Sequence, residues 1–64
     1  MKYVVIELQN GIVGENVWIA DTREAAESFY YSKLAVAVVS EVAVHAVVLM
    51  TAEGFVIDSK CFKH

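Results

Sequence analysis

Residues Leu34 to Met50, LAVAVVSEVAVHAVVLM, constrain the fold more than any other stretch of this chain. Fourteen of these seventeen residues are aliphatic, and only Ser40, Glu41 and His45 interrupt them. The chain has 64 residues, and a domain of that size buries only about 60% of the surface its unfolded chain exposes. So small an interior cannot hide this run together with Tyr3-Val4-Val5-Ile6 and Phe55-Val56-Ile57. Small domains close such a deficit with disulfides, a metal or oligomerisation. Cys61 is the only cysteine, which excludes an intrachain disulfide and a zinc site built on several thiolates. Self-association remains: the folded subunit is expected to keep an apolar face and bury it against another copy.

Hydrophobic residues make up 58% of the chain, above the roughly 45–50% of ordinary domains even when glycine is counted with them. The excess again favours a second hidden surface. Eight acidic against five basic residues give a net charge of −3, and the basic residues form no cluster. Arg23 is the only arginine, with Lys2, Lys33, Lys60 and Lys63 dispersed, so the footprint of general nucleic-acid binding is missing. The N-terminal apolar stretch is too short for a signal peptide and ends at Glu7. The 34–50 run falls short of the ~20 apolar residues of a membrane span, and Glu41 and His45 lie inside it. A cytoplasmic protein is expected, and a lone thiol agrees with a reducing compartment.

The pattern along the chain predicts a single domain, 1–64, of the α+β class. Lys2 to Leu8 is rich in β-branched and aromatic residues and reads as a strand. Its even positions, Val4, Ile6 and Leu8, are all aliphatic, whereas Tyr3, Val5 and Glu7 are mixed; the even side is expected to face the core. Asn10-Gly11 signals a type I′ turn, or a longer loop running through Asn16. Val17-Trp18-Ile19 returns as a second strand. Asp21 or Thr22 caps a helix, with Glu24 placed as in a capping box and Glu24 and Glu27 suited to the positive N-terminus.

Ala26, Tyr30, Leu34 and Ala37 form one apolar stripe on this helix, and Ala25, Phe29 and Val36 form a second beside it. The helix is expected to end near Val39, although no glycine or proline marks the stop. Ala43 to Met50 reads as a third strand and is apolar on both faces. Thr51 to Gly54 forms a turn with glycine in the left-handed region, and Phe55 to Phe62 is the last strand. The order is ββαββ: a four-stranded, largely antiparallel sheet with one helix on one face. A strand apolar on both sides is normally covered on both. The side away from the helix is expected to meet a partner's sheet, or an edge strand to pair with a partner's edge.

Candidate chemistry is sparse. Cys61 and His64 form a Cys-x-x-His pair to which His45 can be added, but metal sites need three or four ligands at recognisable spacing. No metal or cofactor is expected. No nucleophile motif or glycine-rich phosphate loop is present. Glu7 and Glu41 can be imagined as an acid–base pair, yet a solvated strand residue and a loop residue describe them better. His45 is expected to donate a hydrogen bond at an interface. No enzyme is predicted. Trp18, Tyr30 and Tyr31 offer flat surfaces for a base or peptide, and Arg23 and Lys60 add donors for phosphate. With His45 these make the candidate ligand-binding set. The competing description is packing for Trp18 and Tyr30, and interface contact for Tyr31.

Several segments recur in one order: Lys2-Tyr3-Val4-Val5-Ile6-Glu7, Asp21-Thr22-Arg23-Glu24-Ala25-Ala26, Tyr30, Leu34-Ala35 and Val39-Ser40, followed by Val44-His45-Ala46-Val47, Gly54, Lys60 and His64. In these the chain resembles a family of small uncharacterised proteins encoded by phages and prophages of Gram-positive gut bacteria. It departs from that pattern at Tyr31, where a histidine is common, at Ala43, where proline is common, and at Lys33, where an aliphatic residue is common. The missing histidine at Tyr31 weakens any metal or acid–base role shared with the family. The resemblance supplies a phage context and no activity. The missing catalytic machinery, the surplus apolar face and the stackable aromatics beside Arg23 and Lys60 lead to the expectation of a homo-oligomeric accessory protein acting by binding, such as an anti-defence protein. It would sequester a nucleotide immune signal or block a host protein. The alternative is a small capsid- or tail-associated virion protein.

Overall fold

The computed structural model describes residues 2–14 and 16–64. It contains β1 (Tyr3–Gln9), β2 (Val17–Ala20), α1 (Arg23–Val38), β3 (Val44–Thr51) and β4 (Val56–Lys63). This is the expected ββαββ order. The strands form one sheet in the order β2-β1-β3-β4, every neighbouring pair antiparallel. Two hairpins therefore flank a central β1–β3 pairing, and α1 makes the crossover between them.

The local chemistry accounts for the turns. Asn10 and Gly11 both have positive φ (54° and 82°), as a type I′ turn requires, and Gln9 and Ile12 exchange two backbone hydrogen bonds of 3.0 Å around them. The chain then continues through a loop before β2 begins, so the tight turn and the longer connection coexist; Glu15, within that loop, lies outside the described residues. The Asn10 side-chain oxygen accepts from the Val44 amide at 3.1 Å and ties this turn to the start of β3. Gly54, at φ 100°, occupies the left-handed position of the β3–β4 turn. Its N–H donates to the Thr51 carbonyl at 3.0 Å.

Thr22 is the N-cap of α1. Its backbone is extended, and its hydroxyl oxygen accepts from the Ala25 N–H at 3.2 Å. Asp21 pairs instead with Lys2 at 2.7 Å on the surface. The Lys2 ammonium, through its hydrogen bond and its charge, holds the Asp21 carboxyl below its ordinary range. At the other end Val39 is the C-cap without glycine, and a side chain compensates: His64 Nε2 donates to the Ala37 carbonyl at 2.9 Å. Phe62, stacked on the His64 ring at 6.4 Å, steadies that arrangement.

Cross-strand partners share a face of the sheet, so the register fixes what lies under the helix. Val5 pairs with Trp18 on one side and Leu49 on the other, Tyr3 with Ala20, and Glu7 with Val47. Val5, Ala20, Val47 and Leu49 are buried together with Ala26, Tyr30 and Ala37 of the helix. The first helical stripe thus meets the sheet as expected. A register shift at Leu49/Met50 makes Ile57 the extra residue of β4, and its side chain turns to the core.

The face of β1 corrects the expectation from its pattern. The odd residues Tyr3, Val5 and Glu7 lie under the helix, and the uniformly aliphatic even residues lie on the opposite, uncovered side. Alternation identifies two faces but carries no label for which one is covered.

Candidate functional site

Two features stand apart from ordinary packing: a polar pair beneath the helix and the sheet face that none of the described elements covers. Glu7 and His45 are the buried polar side chains of the core. They sit diagonally on β1 and β3, with Glu7 Oε2 2.9 Å from His45 Nε2. This hydrogen bond occupies Nε2, while the buried Nδ1 has no partner among the described residues. The pair is enclosed by Val47, the helix and β4, where Phe62 is the cross-strand partner of His45. It holds two strands in register, because a one-residue slip would carry either group to the other face.

This placement corrects three expectations. Glu7 is buried, not solvated. Its partner is His45, while Glu41 is exposed in the connection after α1. The histidine's hydrogen bond is made within the subunit, under the helix. Glu7 is the residue the pattern misses; the available signal is that Glu7 and His45 are the one carboxylate and the one imidazole within two largely apolar strands.

The six candidate ligand residues do not converge. The ring of Trp18 is covered by Lys33, whose Nζ lies 4.3 Å from the ring centroid. Arg23 pairs with Glu27 at 3.0 Å one turn along the helix. Tyr30 is buried, and Tyr31 is exposed with its ring edge-on to Tyr30 at 5.5 Å. His45 is inaccessible. Lys60 is exposed on β4, at the opposite edge of the sheet from Trp18 on β2. Three strand spacings, about 14 Å, separate those two strands. Burial first, and then the negative charge of Asp58, holds the Tyr30 hydroxyl above the ordinary phenol range. Among the described residues its oxygen has no hydrogen-bond partner.

Cys61 pairs with Ala46 on the uncovered face, whereas His64 caps the helix on the other. The Cys-x-x-His residues therefore point apart. Among the described residues no group of three or more His, Cys, Asp or Glu is placed to hold a metal ion. No helix is long and apolar enough to cross a membrane.

The uncovered face is nearly pure hydrocarbon. Its rows are Val4, Ile6 and Leu8 of β1, Val17 and Ile19 of β2, Val44, Ala46, Val48 and Met50 of β3, and Val56 and Cys61 of β4. Ile19 is 65% exposed and Val56 60%, at the two edges; the central residues are half-buried. Among the described strand residues of this face, Ser59 and Lys63 are the polar ones, both on the outermost strand. The uncovered apolar area is on the order of 600 Å², the upper end of what monomers display, and such patches mark interaction sites.

Compared with protein-family models, curated proteins and solved structures, the chain matches none of them.

Proposed function

We propose that this chain is a non-enzymatic binding protein that works as a homo-oligomer, its copies joined through the uncovered face of the sheet. One observation carries the reading: the more apolar side of β1 is the side the helix leaves bare. A lone subunit would gain by turning that side inward. A subunit whose sheet packs on a second sheet needs both faces apolar, and two flat aliphatic faces complement each other about a two-fold axis. A stable interface takes about 800 Å² from each partner, the same order as this apolar face. Edge pairing is the weaker route. β2 has four residues, and β4 carries Lys60 and Lys63 and a register irregularity, the features that blunt an edge.

The phage-encoded proteins that the chain resembles supply the setting, an accessory role such as anti-defence. The dispersal of Trp18, Arg23, Tyr30, Tyr31, His45 and Lys60 favours contact with a host protein over capture of a nucleotide. Sedimentation at micromolar concentration tests the core of the proposal. The wild type should run as a dimer or larger, and Ile19→Lys with Val56→Lys should release folded subunits. A well-folded wild-type species of 7.1 kDa would sink the idea. Thermal shift with cyclic dinucleotides and ADP-ribose tests the nucleotide form, which needs a clear rise in Tm with at least one of them. Stoichiometric presence in purified particles would instead favour a virion component.

A further inference from the structure

The sheet uses only one of the helix's two apolar stripes. Ala25, Phe29, Ser32, Val36 and Val39 follow each other at spacings of four, three, four and three residues, the interval that keeps a seam on one side of a helix. All five are exposed, Phe29 at 44%, Val36 at 52% and Val39 at 78%. Among the described residues no other element buries them. From Leu34 to Val39 the helix carries no charge at all, so its outer surface there is as apolar as its inner one.

The same stripe contains a recess of about 270 Å³ lined by Ala25, Ser28, Phe29 and Ser32. These four positions are i, i+3, i+4 and i+7, the set that forms a hole for an incoming side chain in helix-to-helix packing. Small residues at three corners and a phenyl ring at the fourth make it open and apolar.

We propose that this outer seam of α1 is a second self-association surface, on which the helix of another copy lies antiparallel about a two-fold axis at Ser32. The helix is complementary to itself in that arrangement. With Ser32 on the axis, Val36 of one copy comes level with Ser28 of the other, the middle of the recess, and the reciprocal contact forms at the same time. Ala25 then faces Val39 across the seam, and the small Ser32 side chains let the helices approach. Antiparallel helix dipoles oppose each other favourably. Arg23 is already paired with Glu27 within its own helix, so the uncharged half of one helix meets no unpaired basic group on its neighbour.

Area sets the order of events. The seam offers on the order of 400 Å² per subunit, about half of what a stable dimer takes. The helix contact is therefore the weaker of the two, and in the wild type it joins copies already paired through their sheets. The sheet face and the helix seam lie on opposite layers, so using both builds tetramers or longer arrays.

Sedimentation of the full chain over a hundredfold concentration range separates the two surfaces. The wild type should pass from dimer to larger species as concentration rises. Val36→Glu, a change to an exposed side chain that leaves the core intact, should stop it at the dimer. Ile19→Lys with Val56→Lys should reduce it to single subunits. If Val36→Glu leaves the wild-type mass distribution unchanged, the helix contact is wrong and the sheet-face reading stands. If the sheet-face variant still pairs and Val36→Glu disperses it, the sheet-face reading is wrong and the helix contact stands. A wild type that never exceeds a dimer overturns the second-copy assignment and leaves the seam to a helix of another protein. Cross-linking gives an independent readout. In a Cys61→Ser background, Ser32→Cys should oxidise to a covalent pair at least tenfold faster than Glu24→Cys on the flank, and equal rates would overturn the two-fold at Ser32.

Discussion

Tyr30 and the Glu7–His45 pair are where single side chains decide most. Among the described residues the buried Tyr30 hydroxyl has no hydrogen-bond partner, and an unsatisfied buried polar group is destabilising. Tyr30→Phe is therefore expected to leave stability unchanged or raise it by about 1 kcal/mol in urea unfolding. Burial and then Asp58 raise the pKa of this hydroxyl above its ordinary 10.0. The folded state consequently holds the phenolic proton more tightly than the unfolded state, and binds more protons between the two values. Stability is fully present below pH 10 and falls as pH climbs through the folded value; Tyr30→Phe should lack that component of the alkaline loss. For the pair, Glu7→Leu or His45→Leu alone strands a buried partner and should cost about 3 kcal/mol. The double replacement should cost less than either single change, as urea midpoints can show. Additive losses would mean that the two groups are not coupled.

Among the elements, α1 depends on how its ends are closed. Thr22 supplies the N-terminal acceptor, so Thr22→Ala should cost about 1 kcal/mol. Asp21→Ala removes a fully exposed ion pair and should leave the thermal midpoint unmoved. Thermal melts of the two variants side by side discriminate the cap from its neighbour. At the C-terminus no residue of the helix itself provides a stop, and the His64 side chain, from the end of β4, takes the Ala37 carbonyl. The helix is thus closed at one end by its own sequence and at the other by a tertiary contact. That difference explains why Asp21 or Thr22 was legible as a cap and His64 was not.

For the whole molecule the balance between a small interior and a large apolar inventory governs behaviour. The Cα radius of gyration is 11.1 Å, close to the ~11 Å expected for a chain of this length. The subunit is therefore well condensed, and its surplus hydrocarbon is displayed by design of the layers rather than by loose packing. Association that stabilises only the folded state makes the midpoint depend on concentration. Each tenfold increase in wild-type protein should raise Tm by a few degrees, while Ile19→Lys with Val56→Lys should show no such dependence. A concentration-independent wild-type Tm would speak for a self-sufficient subunit.

The order of elements, the type I′ turn at Asn10-Gly11, the glycine turn before β4 and the inner helical stripe were all written in local pattern. Periodicity, turn chemistry and capping are properties of neighbouring residues, and they survive without knowledge of the fold. Which side of β1 is covered, which carboxylate meets His45 and which helical stripe stays outside were decided only when the strands took their register. Those outcomes depend on residues such as Glu7 and His45, 38 positions apart, brought together by a pairing that no local signal specifies. A single helix can shield one side of a sheet and offer one of its own sides to it. The remaining apolar surfaces follow from that geometry, and from the lack of any further element to cover them.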